Sequence, residues 1–381
     1  MIYLYKLKQR RLVMNKDRIV SRFIDYVKIS SPSYKEADFA KVLKKDMEEL
    51  GFEVIVDNAG EKAGSNTGNL IGFLKGNKDV DPIMFCAHMD TVTPCENIEP
   101  IIEDGIIKSK GNTILSADDK AGIIGILEGI RYIKENNIPH GDIEVVFTIC
   151  EEVGLYGSKY LDYSNIKSKM AFVLDASGDI GGVNVQGPAQ TQIHAKFHGK
   201  AAHAGLSPEK GINAIQVASK AINKMNLLRI DEETTANVGI IRGGTATNIV
   251  ADYAEMELEA RSLKEEKLEK QVAHMVEAME NAAKEFGAEV VIEVKHAYPT
   301  FSLDKDEPIL NIIKTAMEKI NITYKPNTTG GGSDTNILNS KGVKAATLGV
   351  GMFNAHSVNE YIGVDDLIKL SKLVASIIES H

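Results

Sequence analysis

Five side chains of metal-ligand type sit in short motifs along this chain. They are His88 in His88-Met89-Asp90, Asp118 in Asp118-Asp119-Lys120, Glu152 in Glu151-Glu152, Asp175 in Leu174-Asp175, and His356 in Ala355-His356-Ser357. Two imidazoles and three carboxylates are the ligand inventory of a two-zinc hydrolytic centre. Two divalent ions about 3.5–4 Å apart need a carboxylate between them to offset their mutual repulsion. Asp118 suits that bridge. Asp90, two residues after His88 on an extended strand, shares a face with the imidazole, so its carboxylate is expected to accept the other ring N–H and fix the tautomer. Glu151, next to the ligand Glu152, is left to act as general base, taking a proton as water attacks and handing it to a leaving amine. Adjacent acids more often cap helices or face solvent. Here both pairs abut apolar segments, where unpaired carboxylates would be costly.

Those residues need elements to hold them. A helix is expected over about 15–29, where Ile19, Val20, Phe23, Ile24 and Val27 recur at helical spacing, and a second from about Tyr34 to Gly51. Short β runs follow, FEVIVD, NLIGFL and PIMFCAH, the last delivering His88 at its carboxyl end. The segment after Asp118 reads as a strongly apolar helix, and the runs IEVVFTIC and AFVLD lead into Glu151 and Asp175. Strands alternating with helices imply a layered α/β domain with ligands at the carboxyl ends of its strands. From about Ala189 the order becomes β-α-β-β-α-β, the pattern of a ferredoxin-like α+β unit. Helix and strand patterning then resumes, leading through the loop TGGGSDTNI to His356. The small domain is therefore expected to interrupt the catalytic one, with boundaries at 15–187 and 299–381 for the catalytic part and 188–298 for the insertion.

Composition narrows the class. The 381 residues exceed one typical domain. A formal net charge of −9 gives no reason to expect nucleic acid or a membrane surface as partner. Three cysteines argue for a reducing, cytoplasmic setting rather than a disulfide framework, and Cys86 and Cys150 read as buried thiols. Residues 1–14 lack the apolar core and cleavage site of a signal peptide and read as a disordered leader. No apolar run approaches the ~20 residues of a membrane-spanning helix. Of the other histidines, His140, His274 and His381 read as solvated, while His194, His198 and His296 decorate strand-like segments.

The runs FCAHMDTV, SADDKAG, CEEVGLYGS, LDASG, GKAAHAGLSPEKGINAI, GGTATNIV and HSVNEYI, spread over nearly the whole chain after Met14, resemble the co-catalytic zinc metallopeptidases that include peptidase T, carboxypeptidase G and acetylornithine deacetylase. The Ala after Lys120, an aspartate at 175 and the GGGSD loop make the peptidase T-like tripeptide aminopeptidases the nearest group. The resemblance implies two Zn2+ per subunit, with Co2+ or Mn2+ as substitutes. It assigns His88 and Asp175 to one ion, Glu152 and His356 to the other, and Asp118 to both. It further implies a cis bond between Asp118 and Asp119, and a zinc-exopeptidase catalytic domain with an inserted lid and dimerisation domain forming a homodimer. His203 would reach the active site across that dimer, and Asn248 and Arg261 would contact the substrate's terminal carboxylate or backbone. Gly331, Ser333 and Asp334 of the glycine-rich loop are candidates for substrate contact, since glycines let backbone N–H groups approach a ligand closely.

The resulting expectation is a dizinc aminopeptidase acting on short peptides, tripeptides foremost. An N-acyl-amino-acid amidohydrolase or a carboxypeptidase would use the same metal chemistry and differ only in its pocket. A catalytically silent peptide-binding module fits less well, because nothing would then retain Glu151 beside a full ligand set.

Overall fold

The computed structural model describes residues 12–381. Most of the expected leader therefore lies outside the described residues; Leu12 and Met14 pack against a hydrophobic core. The chain forms two compact units, one of residues up to Val185 with Leu303–Asn327 and Ser333–His381, the other of Gln186–Ser302 with Thr328–Gly332.

The first unit is layered α/β, as the alternating pattern implies. Neighbouring strands of its main sheet run in the order Glu53–Val56, Leu70–Leu74, Ile143–Thr148, Ile83–His88, Met170–Ala176, Lys344–Gly349. The last four are mutually parallel, with His88 opposite Thr148 and Leu174 opposite Leu348. Every residue of Ile83–His88 and Ile143–Thr148 is buried, as expected for central strands covered on both faces. One covering layer is the helix Ala117–Glu135, apolar nearly all round and buried along most of its length. It packs against Val364–Ser380 at very short range. A Cβ on Gly125 or Gly129 would lie 2.6 Å from Leu370 or Val374, so glycine alone lets these helices approach so closely. A second, smaller sheet joins Met352–Phe353, Tyr361–Gly363, Ile106–Ser109 and Pro100–Glu103 in that order. His356 sits in the loop between its first two strands.

The second unit carries an antiparallel sheet in the order Leu228–Arg229, Thr234–Gly243, Tyr253–Ser262, Ala189–His198, Glu289–Tyr298. With the helices Ala214–Lys224 and Glu265–Phe286 this is the β-α-β-β-α-β order, plus one short edge strand. Along Ala189–His198 residues alternate, with Ile193, Ala195 and Phe197 turned into a core with Val217, Ala221, Met275 and Met279, and Gln192, Lys196 and His198 left exposed. Among the described residues no helix is long and apolar enough to cross a membrane.

Candidate metal centre

Parallel strands put their carboxyl ends on one edge of a sheet, and the candidate ligands gather there. His88 is the last residue of its strand, and Asp175 lies one residue from the end of Met170–Ala176. Glu151 and Glu152 follow closely on the strand Ile143–Thr148. Asp118 lies in the first turn of the helix Ala117–Glu135, but Asp118 and Asp119 depart from helical φ/ψ and the bond between them is cis, as the resemblance implied.

Asp118 stands between two histidines. Its Oδ1 is 3.0 Å from His88 Nε2 and its Oδ2 is 3.2 Å from His356 Nε2. Each imidazole faces a second carboxylate as well: Asp175 Oδ1 is 3.5 Å from His88 Nε2, and Glu152 Oε2 is 2.9 Å from His356 Nε2. Ligand atoms of His88, Asp118 and Glu152 lie within 4.8 Å of one another, as do those of His88, Asp119 and Asp175. Two nitrogen-and-carboxylate pairs sharing one central carboxylate is a donor set that fits two divalent cations.

The charges of the cluster support that fit. Burial first, then neighbouring carboxylates, push Asp175 up to about 7 and hold Glu151 and Asp119 well above the usual carboxylate range. Burial also tends to raise Asp118, but hydrogen bonds to His356 and His88 outweigh it and leave this carboxyl below its ordinary value. His356 is raised to about 10 by Asp118 and Glu152. Burial tends to lower His88, yet Asp118 and Asp175 raise it well above an ordinary histidine. So many acids crowded together call for positive charge, and the two imidazoles supply it when protonated. Metal cations would supply more of it at the same ligand atoms.

Further residues hold the cluster. His88 Nδ1 donates to the main-chain carbonyl of Asp90 at 2.8 Å, while the Asp90 carboxylate is 3.7 Å away. The expected carboxylate–imidazole pairing thus becomes a backbone one, because the strand ends at His88 and the chain turns before Asp90 can share its face. The Asp90 carboxylate instead accepts N–H bonds from Glu151 and Glu152 and the hydroxyl of Ser33. Glu36, buried, accepts from the Cys150 amide and thiol and from Ser65, pinning the left-handed residue just before Glu151. Glu360 accepts from the N–H groups of Leu115, Ser116 and Asp118; burial pushes its carboxyl up to about 7 against those bonds. Sequence reasoning missed Ser33, Glu36, Asp119 and Glu360. Asp119 and Glu360 lie one and four residues from ligand candidates, which was the available signal; Ser33 and Glu36 carried none.

The remaining candidates have different surroundings. His203 is exposed, and its Nδ1 accepts N–H bonds from Gly205 and Leu206, which leaves the ring proton on Nε2. Asn248 is exposed, its carbonyl accepting from the Ala204 N–H. Arg261 pairs through Nε and Nη2 with both oxygens of Glu259 and donates from Nη1 to the Gly330 carbonyl. Gly331 is half-buried, its N–H donating to Thr329. Ser333 caps the helix Asp334–Ser340 in a capping box with Asn336. Asp334 is buried and turned inward, accepting from Thr148 at 2.6 Å. The Ser333 hydroxyl thus serves as a helix cap, and Asp334 engages Thr148 through one of its two carboxylate oxygens.

Residues 84–380 match the peptidase family M20/M25/M40. The uncharacterised protein YqjE of Bacillus subtilis (strain 168) is 44% identical, over 96% of this chain and 99% of its own length. Among solved structures, aminopeptidase PepT from Bacillus cereus ATCC 10987 superposes with a TM-score of 0.89 at 46% identity, covering 96% of this chain and 99% of that one. A tripeptidase from Staphylococcus aureus subsp. aureus Mu50 superposes with a TM-score of 0.93 at 38% identity, covering 96% and 98%.

Proposed function

Since the chain belongs to the peptidase family M20/M25/M40, we propose that it is a metal-dependent aminopeptidase that removes the N-terminal residue of short peptides, tripeptides foremost, with two zinc ions. The observation carrying this reading is the Asp118 carboxylate, which offers one oxygen to the His88 side and the other to the His356 side. His88 and Asp175 would hold one ion, Glu152 and His356 the other, and Asp118 both. When bound, the metals would polarise the scissile carbonyl and lower the pKa of the attacking water.

The chain's own residues do the rest. Glu151 accepts the proton of the water whose oxygen attacks the carbonyl carbon, then returns it to the departing amine as the C–N bond breaks. Burial, then the neighbouring Asp175, raises its carboxyl well above the usual carboxylate range, which favours its taking up a proton. Asp90 acts through position, fixing the His88 ring by its carbonyl and the Glu151-Glu152 main chain by its carboxylate. His203 serves as oxyanion donor from Nε2, supplied by a second copy of the chain in a homodimer. Asn248, Arg261 and the N–H groups around Gly331 contact the substrate's far end. Three free, buried cysteines support a cytoplasmic setting.

Incubating the zinc-loaded protein with tripeptides, tripeptide amides, dipeptides and N-acetyl amino acids, and identifying the released end, tests the reading. Release of the N-terminal residue from tripeptides is expected. Release of the C-terminal residue, or preferential deacylation, would overturn it.

A further inference from the structure

The loop between Met352–Phe353 and Tyr361–Gly363 carries His356 and also a buried acid, Glu360, that the reaction above does not use. The loop is tightly turned. Glu360 N–H donates to the Ser357 carbonyl at 3.1 Å, Ser357 Oγ to the Asn354 carbonyl at 2.8 Å, and Asn359 N–H to Ser357 Oγ at 3.2 Å. His356 and Glu360 therefore sit on one internally hydrogen-bonded turn.

Both reach the same residue from that loop. His356 Nε2 lies 3.2 Å from the Asp118 carboxylate, while Glu360 Oε1 accepts the Asp118 main-chain N–H at 2.9 Å. Glu360 Oε2 accepts from Leu115 at 2.7 Å and Ser116 at 2.8 Å. A carboxylate that is 1% exposed is costly to bury, and here three amide dipoles offset part of that cost. One of the amides it accepts from belongs to a residue in the left-handed region, Ser116 at φ +64°, and another to Asp118, which is extended rather than helical at the head of its helix. A buried acid thus ties the segment from Leu115 to Asp118 to a turn whose histidine faces the same aspartate's side chain.

We propose that Glu360 is a positioning residue of the metal centre, gripping the Asp118 main chain so that the His356 loop and the Asp118 carboxylate keep the separation the second cation requires. The inference rests on the dizinc reading of the site. It assigns Glu360 to metal retention rather than to chemistry on the substrate.

The test uses chelator-stripped full-length protein titrated with Zn2+ against a chromophoric competitor and with Co2+ by absorption. Glu360→Gln keeps the shape, removes the charge and turns an NH2 toward amide donors. Wild type should bind two equivalents. In Glu360→Gln one equivalent should bind nearly as before, while the other weakens about 10- to 100-fold, the usual effect of losing an outer-shell partner. The metal-induced rise in thermal midpoint should shrink in step. Glu360→Asp, which keeps the charge on a shorter arm, should fall between the two and carries the same measurement if Glu360→Gln does not fold. Dissociation constants within twofold of wild type for both equivalents, with midpoints lowered equally with and without metal, would overturn the proposal. So would failure of both variants to fold as apoproteins, which would assign Glu360 to the fold alone. A wild-type chain binding fewer than two equivalents would remove the dizinc reading, and Glu360's role with it.

Discussion

The two units treat their polar residues in opposite ways. In the first, His88, Asp118, Glu151 and Asp175 are buried or nearly so and shift one another's protonation far from ordinary values. In the second, His203 and Asn248 lie at the surface, and Arg261 is already matched to Glu259. Buried groups forced into mutual dependence are expensive to keep and therefore point to chemistry. Exposed, locally satisfied groups cost little and suit recognition. The expected consequence is a gradient of effects, steep in the first unit and shallow in the second.

The steepest step should be Glu151→Gln. It removes the proton shuttle while keeping the side chain's shape, so kcat should fall about 10²- to 10⁴-fold with both metal equivalents retained. Near-normal turnover would break the contrast at its strong end.

His203→Ala should follow, at roughly 10²-fold in kcat if Nε2 stabilises an oxyanion. A chain carrying Glu151→Gln still supplies an intact His203, and one carrying His203→Ala an intact cluster. Mixed dimers of the two should therefore recover activity. Demonstrated subunit exchange without recovery would return His203 to the ranks of surface histidines.

A third measurement needs no mutation. In metal-free protein His356 is held at about 10 by Asp118 and Glu152, above the ~6.5 of an unfolded histidine. Its contribution to stability is then full below ~6.5 and disappears as pH climbs through about 10. Asp175, raised to about 7, acts in the same direction: its contribution is full below ~3.9 and lost as pH rises through about 7. Metal binding displaces protons from these groups and so strengthens with pH. The gap in thermal midpoint between metal-loaded and metal-free protein should widen from pH 6 to pH 9. A constant or narrowing gap in calorimetry would mean the imidazoles and acids of the first unit are not linked in the way described.

The gentlest effect should come from Arg261→Ala, because the guanidinium already has Glu259 as partner. KM for tripeptides should rise about tenfold, and KM for tripeptide amides by much less. Equal changes for both substrates would confine Arg261 to its ion pair and its bond to Gly330.

Much of this arrangement could be read before any coordinates. Apolar runs ending in His88 and Asp175 marked the carboxyl ends of strands, and the β-α-β-β-α-β order from about Ala189 marked a separate α+β unit. What stayed hidden depended on main-chain geometry. Asp90 was placed on the His88 face by strand periodicity, which stops applying where the strand stops. One helix start was read early as well: the helix expected from about Tyr34 begins at Ala37, because Tyr34 itself is left-handed at φ +73°. The small sheet escaped because its strands are two to four residues long and join segments distant in sequence. Glu360 escaped for a related reason, since its partners are backbone amides, which every sequence possesses.

The chain order of the two units has a consequence during synthesis. Asp175 precedes the second unit, and His356 comes after it, about 180 residues beyond Asp175. At ~5–20 residues per second a ribosome needs on the order of ten to forty seconds to cover that stretch. Throughout that interval the growing chain owns His88, Asp118, Glu152 and Asp175 but neither His356 nor the loop that braces Asp118. The intervening segment has time to fold on its own sheet and helices before the last donor emerges. Translation order would thus act as a safety catch, withholding hydrolytic competence until the chain is nearly complete.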